Sequence, residues 1–373
     1  MESDLLHLGV VVLPVLDPGS RRFWEAIMWK ALDEMPEYKA KGKQVQRVLG
    51  GFGALGNPSS FHHPTIRQLR KKIKRLAVKP VLKEYVKLRF GEREDVNLEA
   101  LFDRVCIRSE SFGRPGAEDW HRDVYAGRKY GLRDLPTSLP GGEEDVMIGG
   151  WTNLSDSAQR FVGLVGSHTD EGNERGFSTF SKEQIKKFGF ASRMAAQEGR
   201  RYGSTIVCDE AGEVIVPPGH SVLFLQRLIH AVKSGPQPQQ PSLRLFHGFR
   251  LTTETVPLFD LEGVVANGGV PRIPSGQIPP MYSSNHYAFF SSTDKYRSWG
   301  GSTFKSACLF ERTTPSGAVY HTPGSKDNVN AAANTGRYMP SLRQMGLWDE
   351  SFLYSKEELD SLYPQPLFVP RQK

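Results

Sequence analysis

The sequence predicts a mainly β protein with flanking helices, an antiparallel sandwich or barrel, and three observations carry that reading. From about Phe102 to Arg250, short β-branched and aromatic runs alternate with Gly, Pro and Asp, as many short antiparallel strands require. Gly (37) and Pro (25) are plentiful, which favours turns and long connections over a helical bundle. Helical periodicity is confined to the first hundred residues, one interruption of the strand succession and the C-terminal end.

In chain order, Val10-Val11-Val12-Leu13 is β-branched and bounded by Pro14, an opening strand. Phe23 to Met35 places apolar residues at Phe23, Ile27, Met28, Ala31, Leu32 and Met35, the spacing of an amphipathic helix. Leu49 to Ser60 is a glycine-rich loop, and a helical stretch follows from about Pro64 to Phe90 with a break expected at Pro80. Residues 1–100 thus form a strand and a helical and loop layer packed on one side of a sheet. The strand candidates of the core, 101–251, are Arg104 to Ser109, Val146 to Leu154, Phe161 to Val165, Thr205 to Val207, Glu213 to Val216, Ser221 to Leu225 and Leu243 to Leu251. One helix interrupts them, opened by the capping box Ser181-Lys182-Glu183-Gln184 and running to about Glu198. Residues 252–373 make a C-terminal extension. Its stretch 264–340 is rich in Gly, Pro, Ser, Asn and Tyr with little periodicity, so extended, irregular structure is expected, anchored by aromatics such as Tyr282, Phe289 and Trp299. A last helix starts at the capping box Ser355-Lys356-Glu357-Glu358 and stops before Pro364. No internal repeat is present.

Bulk composition narrows the function. With 38% hydrophobic and 24% charged residues and a mean hydropathy of −0.43, the chain reads as a soluble globular protein. A net charge of +7 and a pI near 9.2 suit an anionic partner, but the basic residues are scattered. The densest run, Arg67 to Arg75, has Leu69 and Ile73 spaced as a buried stripe, so it reads as a solvated helix face and not a nucleic-acid patch. Cys106, Cys208 and Cys308 are odd in number and far apart, which argues against a disulfide framework or zinc ribbon and suits a reducing compartment. Leu8 to Leu16 is too short to span a bilayer and follows Glu2 and Asp4 where a signal peptide would carry Lys or Arg. The expectation is an intracellular, cytoplasmic protein with no signal peptide or transmembrane segment.

The chemistry centres on Trp120-His121-Arg122-Asp123. Residues two apart on a strand share a face, so His121 and Asp123 project together while Arg122 points away. An imidazole and a carboxylate hold one edge of a divalent metal, and a second histidine completes the two-histidine, one-carboxylate face associated with non-haem Fe(II). His230 stands at the end of the buried strand that follows the Pro217-Pro218-Gly219-His220 turn. Beyond the polar stretch Ser234 to Pro241 lies the strand with Arg244. A hairpin centred near Gln237 would set His230 opposite Arg244, with Ser242 sharing the arginine's face. A guanidinium there can grip the far carboxylate of a dicarboxylate whose near end chelates the metal. Taken singly, Arg244 reads as an ordinary strand arginine paired with an acid and His230 as a hydrogen-bonded core histidine; their order makes the metal site the better reading.

That order resembles the phytanoyl-CoA dioxygenase family, iron(II)- and 2-oxoglutarate-dependent oxygenases. The matching segments are His121 and Asp123, Gly150-Trp151-Thr152-Asn153-Leu154, Val165-Gly166-Ser167-His168, Gly219 to His230, and Arg244, spanning roughly residues 5 to 250. Val165 stands where the family has proline, the gap from His230 to Arg244 is long, and the tail beyond Arg250 is large. The resemblance implies a double-stranded β-helix core, jelly-roll and cupin-like. It implies iron held by His121, Asp123 and His230, 2-oxoglutarate bound through Arg244 with Ser242 and Trp151 lining its pocket, and a structural His168. Dioxygen would be the co-oxidant. The implied reaction hydroxylates a C–H bond of a small-molecule substrate while 2-oxoglutarate becomes succinate and carbon dioxide.

Alternatives are an oxygenase acting on a nucleic acid or other macromolecule, motivated by the +7 charge, and a non-catalytic β-barrel binding module. Gly51-Phe52-Gly53-Ala54-Leu55-Gly56 spells a dinucleotide fingerprint, but Pro58-Ser59-Ser60 follow where a helix should. His121-Arg122-Asp123 spells a kinase loop, but Arg128 stands where its Asn is needed and no Asp-Phe-Gly follows. A Gly-x-Ser-x-Gly hydrolase elbow is absent.

Overall fold

The computed structural model describes residues 4–34, 54–55, 63–101, 105–108, 118–121, 138–169, 183, 186, 206–208, 213–232, 241–256, 272–273, 311–313, 319–321 and 354–368. The chain opens with a short helix α1 (Asp4–Leu8), strand β1 (Val10–Pro14) and helix α2 (Pro18–Glu34). Helix α2 begins five residues before the expected Phe23, because the Asp17 carboxylate caps it by accepting from the Gly19 and Ser20 amides at 2.9 Å. Phe23 itself lies on the solvent side, and Met28, Ala31 and Leu32 form the buried stripe. After β2 (Ala54–Leu55), the described part of the glycine-rich loop, come α3 (Pro64–Ile73), a π-helical turn (Lys74–Val78) and α4 (Lys79–Phe90). The helix is therefore not broken at Pro80. The widened turn before it lets the chain run on, with Pro80 in the first turn of α4 where its missing N–H is harmless.

The remaining strands are β3 (Asn97–Leu101), β4 (Val105–Arg108), β5 (Glu118–His121), β6 (Val146–Asn153), β7 (Gln159–Gly163), β8 (Val214–Val216), β9 (His220–Leu225), β10 (His230–Val232) and β11 (Ser242–Thr252). The main sheet runs β1-β9-β6-β11-β3, with β4 beside the first half of β11 and β3 beside its second half. The smaller sheet runs β5-β10-β7-β8, and every pair in both sheets is antiparallel. From β4 to β11 the chain passes back and forth between the two sheets, the jelly-roll or double-stranded β-helix topology. Two facing sheets, not a closed barrel, result.

Residue alternation divides the main sheet into two faces. Val11, Leu13, Ile148, Leu223, Leu225, Leu243 and Leu245 pack outward against Leu32, Ile66, Leu69, Ile73, Leu82 and Tyr85 of the helices. Val10, Val12, Trp151, Val222 and Phe224 pack inward against Phe161, Val214 and Val216 of the smaller sheet. Gly219 makes the turn into β9 at φ 72°, and a Cβ there would lie 2.3 Å from the Leu16 carbonyl, so the turn requires glycine.

Several expectations are corrected. β10 and β11 are not a hairpin, since β10 pairs with β5 and β7 in one sheet and β11 with β3, β4 and β6 in the other. His230 therefore does not face Arg244 across a pair. The jelly roll places the two strands in different sheets. Of the expected strand Thr205 to Val207, Ile206 and Val207 are not in a strand and Thr205 lies outside the described residues; residues 206–208 contribute one isolated bridge, Cys208 to Val214. Within 264–340, β12 (Arg272–Ile273), β13 (Glu311–Thr313) and β14 (Val319–His321) form a small three-stranded sheet where irregular structure was expected. The capping box at Ser355 is present: Ser355 Oγ accepts from the Glu358 amide at 3.1 Å and Glu358 Oε2 from the Ser355 amide at 3.0 Å, opening α5 (Lys356–Asp360). β15 (Gln365–Pro366) then pairs with β3. Of the Ser181 helix, only the helical positions 183 and 186 are described, and the rest lies outside the described residues. Among the described residues no helix is long and apolar enough to cross a membrane.

Candidate metal and cosubstrate site

The register of the smaller sheet sets position 121 directly opposite His230, where β5 ends against β10. Opposed residues of an antiparallel pair stand about 4.5–5.5 Å apart at Cα. Asp123 and Arg122 lie outside the described residues. Among the described residues no group of three His, Cys, Asp or Glu side chains is gathered to hold a metal.

His230 is buried, with its ring 4.9 Å from the Phe224 ring and 6.0 Å from the Phe161 ring, centroid to centroid. Its Nδ1 lies 3.0 Å from the Leu228 carbonyl, which can only accept, so Nδ1 carries the proton and Nε2 the lone pair of the neutral ring. Metal-ligating histidines are held by this type of hydrogen bond, and the donor set is the type that suits divalent iron. On the other side of β10 the residue opposite His230 is Gly163. A Cβ there would lie 2.4 Å from Phe161 Cε1, so the glycine lets the aromatic ring lie against the histidine.

Arg244 belongs to the other sheet, opposite Asn153 of β6 and Cys106 of β4. Its guanidinium lies 4.1 Å from the centroid of the Trp151 ring, a cation–π contact. Trp151 is buried in the same inter-sheet cluster as Phe161 and Phe224, the rings that flank His230. Thus His230 and Arg244, though on different sheets, approach one aromatic cluster from two sides. Arg244 Nε–H donates to Gln159 Oε1, and Nη2 to the Arg160 carbonyl at 3.4 Å. No acid pairs with Arg244 among the described residues, unlike the ordinary strand arginine set against the metal reading. Burial first, and then the charge of a second cation, Arg108, pull the Arg244 pKa below the ordinary guanidinium range. Ser242 is buried on the face of Arg244, paired in register with Arg108, whose buried Nε finds no hydrogen-bond partner among the described residues.

Two residues of this corner escaped the sequence reading. Arg108 closes a strand expected there, yet nothing in one sequence marks it as a neighbour of Arg244. Gln159 precedes the expected start of its strand; its amide donates to Asn153 Oδ1 at 2.7 Å and Ser155 Oγ at 3.1 Å, locking the acceptor toward Arg244. His168 is structural, its Nε2 bonding the Leu6 carbonyl at 2.9 Å.

The chain matches no known protein family and no curated protein sequence. Among solved structures it is similar to SnoK, a non-heme alpha ketoglutarate dependent carbocyclase from nogalamycin biosynthesis, at TM-score 0.37 and 13% identity, covering 67% of this chain and 82% of that one. EctD from S. alaskensis, solved with 2-oxoglutarate and 5-hydroxyectoine, is similar at TM-score 0.39 and 14% identity, over 66% of this chain and 74% of that one. CytC3 with Fe(II) and alpha-ketoglutarate is similar at TM-score 0.36 and 14% identity, over 67% and 75%.

Proposed function

We propose that the chain is an iron(II)- and 2-oxoglutarate-dependent oxygenase of the phytanoyl-CoA dioxygenase-like kind that hydroxylates a C–H bond of a small molecule. The observation that supports it best is the pairing of position 121 with His230, two residues far apart in sequence that the metal reading requires to meet. When bound, iron(II) with 2-oxoglutarate and dioxygen supplies the oxidative chemistry and yields succinate and carbon dioxide.

The chain's own residues hold and orient. His121, Asp123 and His230 are the metal ligands, and the Leu228 carbonyl keeps the His230 tautomer that presents Nε2. Arg244 grips the distal carboxylate of 2-oxoglutarate, Ser242 adds a hydroxyl and Trp151 forms the wall. The absence of an acid from Arg244's described partners leaves its charge to a ligand. The rings of Trp151, Phe161 and Phe224 exclude water between the two ends. A small substrate is further supported by the basic stripe of α3, which is partly covered by residues 354–362 and not displayed as a polynucleotide would need.

The test is succinate formation from 2-oxoglutarate with Fe(II) and ascorbate. Wild type should turn over slowly even without substrate, and His121→Ala and Arg244→Ala should lose at least tenfold. Equal background in all three overturns the reading.

A further inference from the structure

On the outer face of the main sheet, away from Arg244 and His230, α3 and the π-helical turn that continues it present Arg67, Arg70, Lys71 and Lys74 at the spacing of one helix stripe. The expected solvated face is instead partly roofed. Arg67 lies 3.9 Å from the centroid of the Tyr354 ring and 3.8 Å from Glu358, and Lys74 Nζ reaches the Ser361 carbonyl at 3.4 Å. Beneath the roof is a cavity of about 120 Å³. Its apolar surface comes from Leu101, Phe249 and Leu362, its neutral titratable groups are His247 and Tyr354, and its charged lining consists of the four cations and the single carboxylate of Glu358.

We propose that this cavity binds a small organic carboxylate, an apolar body about the size of one six-membered ring with its carboxylate on Lys74. The volume bounds the size: at about 120 Å³ the cavity is slightly smaller than the roughly 150 Å³ that takes a benzene, so no apolar body larger than one ring enters. The charge follows from the lining. Lys71 is engaged outside by Glu357 at 3.2 Å and Arg67 by Glu358, but Lys74 has no ion-pair partner among the described residues. Around Lys74 stand Lys79 of α4, Glu99 of β3, and Arg70 and Lys71 of its own helix. Burial first, and then Lys79, lower its pKa to about 8 against the pull of Glu99, so the ammonium is short of compensating charge. A bound carboxylate supplies it. Lys74 also opens the π-helical turn, a distortion frequent at functional sites.

The experiment titrates the full chain with benzoate by calorimetry, alongside benzamide as the uncharged body of the same shape and acetate as the charge without the body. Saturable benzoate binding is expected, with benzamide and acetate at least tenfold weaker. Lys74→Met should weaken benzoate tenfold, and Leu362→Trp should abolish it by filling the cavity, with circular dichroism reporting that both are folded. In wild type the affinity should fall as pH rises from 7 to 10, because Lys74 loses its proton, and in Lys74→Met it should stay flat. Arg244→Met should bind benzoate as wild type does, which separates this cavity from the oxygenase site and from its failure. Benzoate binding that is unsaturable, indifferent to Lys74→Met, or lost in Arg244→Met overturns the proposal.

Discussion

Arg244 and Arg250 stand six residues apart on the same face of the same strand and live in opposite surroundings. Arg250 is wholly buried and fully answered: Nε donates to Glu99 at 2.6 Å, Nη1 to Asp145 at 3.2 Å and Glu254 at 3.1 Å, and Nη2 to the Val256 carbonyl at 3.1 Å. Burial alone would lower its pKa, but Glu99 and Asp145 outweigh that and raise it. Arg244 has an amide, a carbonyl and an indole for neighbours, with Arg108 beside it, and its pKa is lowered. The first arginine is compensated by the chain and holds the fold together. The second has no acid beside it among the described residues, and the proposed function assigns its compensation to a ligand.

The strongest way to break that contrast is to remove the structural member. Arg250→Met should destabilise by about 3–5 kcal/mol, because Glu99 and Asp145 stay buried and lose the guanidinium that answers their charge. The midpoint of urea unfolding reads this directly, and a change under about 1 kcal/mol would show that the two arginines do not differ as described.

Arg244→Met should do the reverse. Losing the contact with Trp151 costs about 0.5–1 kcal/mol, offset by removal of a cation held beside Arg108, so stability should move by about 1 kcal/mol or less. Affinity for 2-oxoglutarate, measured by calorimetry with Fe(II) under nitrogen, should fall about ten- to a hundredfold, the worth of a bidentate charge-assisted pair. A large stability loss with intact binding would make Arg244 structural after all.

The contrast also marks what one sequence discloses. The strands of the main sheet are legible because hydrophobic alternation is local: Val10 to Leu13, Val146 to Leu154 and Leu243 to Leu251 all fall within a residue or two of β1, β6 and β11. β3 was missed because its buried positions Asn97 and Glu99 are polar, and they are polar because Glu99 answers Arg250 across the strand pair. Pairing is the non-local part. A symmetric hairpin was the simplest partner for β10, yet the chain crosses to the other sheet between β10 and β11, which no period within either strand encodes. The spacing of His121, His230 and Arg244 could thus suggest a site, while its supports, Gln159, Gly163, the Leu228 carbonyl and Arg108, depend on which strands meet.

The smallest expected effect sharpens the comparison most, because its sign differs from that of Arg250→Met. Arg108 stands on β4 opposite Ser242 and next but one to the partner of Arg244, and it lowers the Arg244 pKa. Arg108→Gln keeps a polar side chain there while deleting the charge. If the corner is an uncompensated pair of cations, the free protein should gain about 0.3–1 kcal/mol. Affinity for 2-oxoglutarate should fall about two- to fivefold, less than in Arg244→Met, since a charge facing the ligand at longer range contributes field without a hydrogen bond. Urea midpoints and calorimetry on the same preparations read both quantities. A stability loss in Arg108→Gln would mean that Arg108 is held by an acid, as Arg250 is, and that this end of the strand is built like the other.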